Sequence, residues 1–369
     1  MIFFSFSLFL FLCAIIENKI LFRVSALMLG AYFSFTFAYG YDWLNYYQSY
    51  QAVRIGGTPF FGDLGFIFLM KACIYFGLSY GGFSFVVNAI LYFLIYNFCN
   101  KLRTPSFALF ALFSFLGFFM FTEQIRQGFA LSIVLYGLTK FFDKSKIKFF
   151  ITVCIASLFH VSAVLSFFYF ATIINNRRRL LISIISSFIL YSIFLILMLN
   201  PTFIAVFQGV ESKFQAYGSM YSDLDTNFFS FLLHAKMLFV YLFFGILLYI
   251  FGLSTEQKYS VYSNLFMLIL TRSSSLLVRV SYYFLPVLIY SLDEYISSLG
   301  RGLSTNWKKL SLLIVILFVS TLPLWTPMYR LGAQTNLDLF SNPNEFNKEI
   351  GRKCMVLHIN SDITTDGCR

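Results

Sequence analysis

About a dozen apolar stretches, each about 15 to 20 residues long, follow one another along this chain of 369 residues. A helix needs about 20 apolar residues to cross the hydrocarbon core of a bilayer, because each residue advances it by about 1.5 Å. The pattern therefore predicts an all-α, polytopic membrane protein, a helical bundle of about 10 to 12 membrane segments. The expected segments are 2–16, 20–38, 64–80, 83–98, 106–121, 128–142, 149–174, 180–199, 235–253, 261–277, 280–296 and 310–328.

The composition argues against a soluble fold. Hydrophobic residues make up 59% of the chain and charged residues 12%, and the mean hydropathy is +0.77. In water such a chain would expose very large apolar patches. The net charge is +11, and basic residues concentrate in short connections such as 140–148 and 177–179. This is the positive-inside pattern of membrane proteins, so we do not expect nucleic acid as a partner.

The apolar stretch 149–174 has basic clusters at both ends, at 144–148 and at 177–179. Both clusters favour the cytoplasmic side of the membrane. We therefore expect a broken or re-entrant helix that bends near His160. Non-helical backbone at that depth is tolerated only around a cavity lined by protein.

We expect residues 1–328 to form one membrane domain and residues 329–369 a polar extracytoplasmic tail. The apolar N-terminal stretch lacks the basic region and the cleavage site of a signal peptide, so we expect an uncleaved first helix. In the tail, Cys354 and Cys368 either form a disulfide, which requires an oxidising compartment, or remain free thiols. Loop 39–63 is compatible with either side of the membrane.

Ionisable side chains within the apolar stretches mark the candidate site. They are Arg126, His160, Arg272 and Arg279. Hydrocarbon offers a cation no water, so each needs an anion, a water-filled cavity or a route to the interface, and function is the default interpretation. No metal-ligand spacing is evident, although Asp223 and Asp225 form an Asp-x-Asp pair, and we expect neither a metal nor a cofactor.

The first polar loop combines aromatic rings with carboxylates. Asp42 is followed by Tyr46 and Tyr47, and the loop ends at Asp63. Sugars pack their C–H faces on rings and need hydrogen-bond partners for their hydroxyls, so this loop is a candidate sugar-binding element. An aromatic belt at the membrane interface is the alternative, but it leaves Asp42 and Asp63 unexplained.

Arg126 and His160 each have a structural and a functional interpretation. Glu123 and Arg126 are three residues apart, so they either form an ion pair on one helix face or leave Arg126 as a bidentate anion ligand beside Gln127. His160 is either a neutral imidazole bonded to a neighbour, or a general base or phosphate donor.

Arg272 and Arg279 are seven residues apart, which predicts one helix face about 10 Å long. Tyr282 and Tyr283 are expected to continue that face. The two arginines either line a path for a diphosphate or snorkel to the interface from two separate helices.

The long connection 200–234 contains Lys213 and Tyr217. It is either a polar connector or a binding element. Structureless loops longer than about 15 residues are more often functional, which favours the second interpretation.

In motif order, most of residues 30–290 resembles the EpsG and Wzy-type family of membrane polysaccharide polymerases. The resemblance rests on Asp42 with Tyr46 and Tyr47, the turn from Asp63 to Phe66, Arg126 and Gln127 with Ala130, His160 with Ser162 and Ala163, Lys213 and Phe214 with Tyr217, and Arg279 with Tyr282 and Tyr283. The order and spacing of these motifs make it specific. Asp63 stands where the family pattern would have Glu.

The resemblance implies a bacterial inner-membrane glycosyltransferase with a GT-C-like helical bundle. It implies that repeat units carried on undecaprenyl diphosphate are joined at the periplasmic face, with transfer of the growing chain to the non-reducing end of the next unit. The implied product is O-antigen, capsule or exopolysaccharide. The implied partners are this lipid-linked substrate, membrane lipid, and a flippase and a chain-length regulator of the same pathway.

The resemblance also assigns roles to residues. The expected diphosphate ligands are Arg126, Gln127, Arg272, Arg279 and Lys213, because a fixed cation is worth most where charge builds on the leaving phosphate. The expected sugar-binding residues are Tyr46, Tyr47, Asp63, Tyr217, Tyr282 and Tyr283. The expected catalytic residues are His160 as general base, Asp42 as its competitor for that role, and Arg126.

Other functions compete with polymerisation. A flippase or transporter of the same lipid-linked sugars also needs a cationic cavity, but it tends to show symmetry between its halves, and none is visible in this sequence. A membrane acyltransferase that modifies polysaccharide would use His160 and arginines, and it would also need an acyl-donor site. A purely structural protein leaves the charges at membrane depth unexplained.

Overall fold

The computed structural model describes residues 2–142, 145–172, 177–199, 236–251, 255–271, 278–279, 281–299, 303–360 and 368. The regular secondary structure of these residues is helical, with one isolated β-bridge between Thr36 and Asp338. The prediction of an all-α membrane protein is confirmed.

The helices follow one another along the chain without strands between them in the described ranges. They are α1 (Ile2–Ile16), α2 (Lys19–Phe35), α3 (Trp43–Arg54), α4 (Leu64–Tyr75), α5 (Tyr80–Asn100), α6 (Pro105–Leu116), a π-helical turn (Phe119–Glu123), α7 (Ile125–Phe142), α8 (Lys146–Phe159), a 3₁₀ helix (Val161–Phe168), α9 (Tyr169–Thr172), α10 (Arg177–Leu199), α11 (Lys236–Phe251), α12 (Thr255–Leu270), α13 (Leu285–Ser298), α14 (Leu303–Thr321), a second 3₁₀ helix (Leu322–Trp325), α15 (Pro327–Gly332) and α16 (Pro343–Asn360).

Local sequence sets where several of these helices begin. The Asn18 side chain accepts hydrogen bonds from the backbone N–H groups of Ile20 and Leu21 at the start of α2, and Ser79 accepts one from Gly82 at the start of α5. Such caps satisfy N–H groups that have no partner within the helix. The first turns of α6, α13 and α15 contain proline, where its missing N–H is not needed.

The chain divides into two compact units, one formed by Met1–Phe167 with Gly300–Arg369 and the other by Phe168–Leu299. In the first unit, α5 packs between α2 and α7, and α7 lies along α8. An aromatic cluster fills its core around Phe33, whose ring lies 5.3 to 5.8 Å from those of Phe3, Tyr39, Tyr92 and Phe113. Ring pairs at this spacing add specific geometry to the hydrophobic contribution.

In the second unit, α12 packs against α10 and α13. The α12 face that is buried there carries Ser260, Ser263 and Asn264, and Ser263 Oγ lies 2.5 Å from Ser183 Oγ of α10. Small polar residues let apolar helices approach closely and bond to one another.

Two helices of the described residues are long and apolar enough to cross a membrane, Tyr80–Asn100 and Asn306–Trp325. Shorter apolar helices occupy Ile2–Ile16, Leu64–Tyr75, Pro105–Leu116 and Met237–Phe251. The total of about 10 to 12 membrane segments stays a prediction, as do the sidedness of the connections and the division into a membrane domain and a tail.

The expected break at His160 is confirmed. Helix α8 ends at Phe159, and His160 has an extended backbone (φ −160°, ψ 123°) before the 3₁₀ helix begins. Two other helices lie where the sequence predicted none: α3 within loop 39–63 and α16 within the polar tail. Cys354, on α16, is disulfide-bonded to Cys368.

Candidate functional site

Arg126, near the start of α7, forms an ion pair with Asp63, which precedes α4. The two side chains are 17% and 15% exposed, so the pair is mostly shielded from solvent without being sealed. The Arg126 guanidinium also lies 4.0 Å from the centre of the Phe61 ring and 5.4 Å from that of Tyr46. Cations are stabilised over such ring faces. The structure thus joins a predicted diphosphate ligand to two predicted sugar-binding residues.

An interrupted helix positions Arg126. Gln124 leaves the helical backbone (φ −92°, ψ 56°) between the π-helical turn and α7. The prediction that Glu123 and Arg126 share one helix face is therefore wrong, because i,i+3 spacing holds only along a continuous helix. Gly128 makes the tight turn possible, since a Cβ there would lie 1.8 Å from the carbonyl oxygen of Met120. Such π-helical interruptions are frequent at functional sites.

Arg126 retains hydrogen-bonding capacity. A guanidinium has five N–H donors, and the bond to Asp63 uses a hydrogen of Nη1. Its Nε–H is buried and has no hydrogen-bond partner among the described residues, whereas the side chain as a whole keeps 17% of its surface exposed. The side chain can therefore hold Asp63 and an oxyanion at the same time, as arginine does at phosphate sites.

Ser162 folds back onto the His160 ring. Its backbone N–H donates to Nδ1 at 3.3 Å, and its Oγ lies 2.5 Å from the same nitrogen. The Nδ1 atom of His160 is therefore engaged within its own turn, and the ring tautomer decides whether Ser162 Oγ donates to it or accepts from it.

The break at His160 lies beside the Arg126–Asp63 pair. A Cβ at Gly65, two residues after Asp63, would lie 3.0 Å from the Leu158 carbonyl oxygen. The ring of Phe159 lies 4.9 Å from that of Phe129, three residues after Arg126. The residues that flank His160 thus contact those that flank both members of the ion pair.

Asp42 precedes α3, and its carboxylate makes no capping hydrogen bond to that helix. A turn at Gly40, with φ +69°, leads into it. A Cβ at Gly40 would lie 2.4 Å from Cγ of Glu123, so only glycine fits between this turn and the π-helical turn. Burial, and next the nearby Glu123, raises the pKa of Tyr41 to about 12. Asp42 therefore sits on a turn that packs against the segment leading to Arg126.

A cavity of about 20 Å³ lies beside Tyr46. A cavity needs roughly 10 to 15 Å³ to hold one water molecule, so there is room for one small polar group. Trp43 and Asn88 line it and are 2% and 4% exposed. The Trp43 Nε1–H donor and the Asn88 Oδ1 acceptor have no partners among the described residues. One donor and one acceptor match the needs of a hydroxyl group.

Residues 19–332 match the EpsG family. The chain belongs to the EpsG family. The match runs from α2 to the end of α15 and includes Asp42, Asp63, Arg126 and His160. It confirms the resemblance inferred from the motifs and makes this a membrane protein of polysaccharide synthesis. No curated protein and no solved structure matches the chain.

Gln127 and Tyr47, two further predicted site residues of this EpsG-family chain, lie on described helices. Gln127 follows Arg126 and is 3% exposed. Tyr47 of α3 stacks on Phe346 of α16, with ring centres 5.2 Å apart. Arg272, Lys213 and Tyr217 lie outside the described residues.

Arg279, Tyr282 and Tyr283 belong to the second unit. Arg279 is exposed, whereas both tyrosines are buried in a turn before α13. The prediction that one helix face runs from Arg279 through these tyrosines is therefore wrong. With Pro286 in its first turn, α13 begins only at Leu285, because proline interrupts the hydrogen bonds of a helix interior.

Among the described residues of the first unit, three buried charged side chains were not predicted as site residues. Glu123, Glu349 and Lys353 are 7%, 2% and 0% exposed. The spacing of Glu349 and Lys353, four residues apart, was a signal for one helix face. It was missed because a polar tail was expected to be solvated. Within the described ranges, no group of three or more His, Cys, Asp or Glu residues is placed to hold a metal.

Proposed function

We propose that this EpsG-family protein is a multi-pass glycosyltransferase of the bacterial inner membrane that polymerises repeat units carried on undecaprenyl diphosphate. A hydroxyl at the non-reducing end of one unit attacks the anomeric carbon of the growing chain. The bond from that carbon to the diphosphate oxygen breaks, and undecaprenyl diphosphate leaves with the electron pair. The hydroxyl proton passes to a base on the protein.

The Arg126–Asp63 pair carries this proposal. The pair lies among aromatic rings beside a helix break, and the partly exposed Arg126 guanidinium has N–H hydrogens beyond the one that bonds to Asp63. Negative charge builds on the diphosphate as its bond to the sugar breaks, and a fixed cation stabilises that charge most strongly in a site that excludes water. The predicted ligands Gln127, Arg272, Arg279 and Lys213 remain part of the proposal.

For the general base, the geometry favours Asp42 over His160, which reverses the order expected from sequence. The Nδ1 atom of His160 is engaged by Ser162, so this nitrogen is not open to take a proton from the acceptor hydroxyl. The Asp42 carboxylate caps no helix and is half-buried, so it can accept the proton of the acceptor hydroxyl.

Sugar recognition is supported by the cavity beside Tyr46. A sugar presents C–H faces to rings and hydroxyls to polar groups. The Trp43 donor and the Asn88 acceptor suit one hydroxyl, and the cavity admits a group of that size. The roles of Tyr47, Tyr217, Tyr282 and Tyr283 in sugar binding are proposed from the motifs.

We also place residues 329–369 on the extracytoplasmic side. The disulfide between Cys354 and Cys368 supports this placement, because disulfides persist in oxidising compartments. A flippase that delivers the substrate and a regulator that sets chain length complete the proposed pathway.

Purified protein incubated with lipid-linked oligosaccharide tests the proposal by mass spectrometry. A polymerase yields glycans longer by whole repeat units and releases undecaprenyl diphosphate. We expect Arg126→Ala to slow this reaction by about 10²- to 10³-fold, the effect of removing one donor to a developing oxyanion. Arg54→Ala, an exposed arginine at the end of α3, is the matched control and should react normally.

Three results would overturn the proposal. A flippase leaves the substrate mass unchanged while moving it across a vesicle membrane. An acyltransferase adds an acyl mass only when an acyl donor is present. Equal rates for Arg126→Ala and Arg54→Ala would remove the site assignment.

A further inference from the structure

We infer that Lys353, on the C-terminal helix α16, is a positioning residue of the polymerase site that holds the turn carrying Asp42. This inference rests on the proposed function. Helix α16 (Pro343–Asn360) follows the last residue matched to the EpsG family, Gly332. It therefore lies beyond the region matched to the family.

The segment that leads to Asp42 is hydrogen-bonded to the segment that leads to α16. The backbone N–H of Gly40 donates to the Gly332 carbonyl at 2.9 Å, and that of Phe37 donates to the Leu337 carbonyl at 3.3 Å. A β-bridge at Thr36 and Asp338 lies in the same stretch. Residues 332–338 thus fix the position of the backbone that precedes Asp42.

Lys353 fixes the position of that partner segment. Its ammonium donates to the carbonyl oxygens of Gly332 at 2.8 Å and Gln334 at 2.9 Å, and it lies 4.0 Å from the carboxylate of Glu349. Lysine is almost never fully buried unless it is paired, and here it is 0% exposed. The Gly332 carbonyl therefore joins Lys353 directly to Gly40, two residues before Asp42.

Close packing leaves this connection little freedom. A Cβ at Gly332 would lie 3.0 Å from the Tyr41 ring, and one at Gly40 would overlap the Glu123 side chain. Glu123 ends the π-helical turn that precedes Arg126. A displacement of Lys353 is therefore transmitted to the Asp42 turn, and the same turn rests on the segment before Arg126.

Charged and titratable groups face Lys353 from each element packed against it. Glu349 and Arg352 lie on α16, Tyr41 lies under the ammonium with its ring centre 5.4 Å away, and Glu123 comes from the π-helical turn. Burial, and next the charge of Arg352, lower the pKa of Lys353 to about 7, although Glu349 and Glu123 oppose the shift. Lys353 therefore changes charge near neutral pH.

Steady-state kinetics of the purified full-length protein with lipid-linked oligosaccharide test the inference. We expect Lys353→Met to lower kcat at least about tenfold and to leave KM within about twofold, because a misplacement of about 1 Å slows chemistry more than it weakens binding. Lys353→Arg keeps donors for both carbonyls and should recover part of kcat. Its charge is permanent, so the change of kcat with pH near 7 should disappear.

Two variants on the same helix separate positioning from folding. Lys348→Met makes the same substitution at an exposed site five residues earlier and should leave kcat unchanged. Leu357→Ala removes a side chain that is 3% exposed, so it should lower the thermal stability while kcat per folded molecule stays normal.

The outcomes distinguish this inference from the proposed function. A wild-type protein that polymerises while Lys353→Met matches its kcat overturns the inference alone. The same holds if Lys353→Met loses activity only in proportion to folded protein, as Leu357→Ala does. A wild-type protein that forms no polymer overturns the proposed function itself.

Discussion

Two cations of the first unit, Arg126 and Lys353, are stabilised in different ways. Arg126 has a carboxylate partner in Asp63, two aromatic rings nearby and an N–H donor without a partner in the described chain, and its side chain is 17% exposed. Lys353 is fully buried, and its ammonium donates to two backbone carbonyls.

This difference in burial and partners distinguishes a residue that can bind a ligand, Arg126, from one that positions the backbone, Lys353. A partly exposed guanidinium with spare donors can accept a further anion without losing its first partner. A buried ammonium that bonds to the backbone has no route to a ligand, and it fixes the segments whose carbonyls it holds. Burial depth and partner type, rather than charge, therefore indicate what each cation does.

After Arg126→Ala, removal of Asp63 should have the largest effect. Breaking a buried ion pair costs about 3 to 5 kcal/mol, and the remaining exposure of this pair reduces the expected loss of stability to about 2 kcal/mol. We expect Asp63→Ala to slow polymerisation by about 10²-fold, because Arg126 is then no longer held in place.

A double-mutant cycle checks that Arg126 and Asp63 act as one unit. The rate of Arg126→Ala/Asp63→Ala should be close to that of Arg126→Ala alone, since contacting residues are not additive. If the rate of the double variant falls by the product of the two single-variant factors, the two residues act independently. The ion pair would then have no part in the site.

Gly40→Ala should have the next largest effect. The new Cβ would meet Cγ of Glu123 at 2.4 Å at a residue with φ +69°. We expect a loss of about 2 to 4 kcal/mol in the free energy of unfolding, from left-handed strain together with overpacking.

Gly56→Ala is the matched control for Gly40→Ala. Gly56 has φ +82° and nothing within 4 Å of its Cβ position, so the variant should lose only the strain energy of about 1 kcal/mol. Chemical denaturation measures both. Equal losses would show that the contact between Gly40 and Glu123 contributes nothing.

The smallest predicted effect is the pH dependence of stability that Lys353 causes. Its pKa is about 7 in the folded protein, below the ordinary value of 10.5. Between these values the unfolded chain binds more protons, so the stability of the folded state rises with pH above about 7. Below pH 7 both states are protonated and the contribution is constant.

Thermal unfolding of the purified protein between pH 6 and about pH 9 tests this effect. The difference in midpoint between the wild type and Lys353→Met should grow in favour of the wild type as pH rises. A difference that stays constant over the range would mean that Lys353 keeps an ordinary pKa.

The break at His160 was predictable because basic clusters at both ends of one apolar stretch cannot lie on the same side of a membrane without a bend. Helix α3 was not predictable in this way. Its tyrosines and tryptophan fit an interfacial belt equally well. They pack in a helix because aromatic rings from helices far away in sequence contact them. Helix α16 was not predicted for a related reason. A polar sequence forms a packed helix only when a partner covers its few apolar positions, such as Phe346.

The sequence by itself determined the helical class, the membrane environment, the family and the chemically unusual side chains, because hydropathy and motif spacing are local properties. Only the tertiary structure decided that Arg126 bonds to Asp63, 63 residues away, and that Lys353 holds the backbone next to Gly40. It also decided that Gln124 separates Glu123 from the helix of Arg126. Such contacts depend on which helices pack together, and the local periodicity of a sequence does not determine that packing.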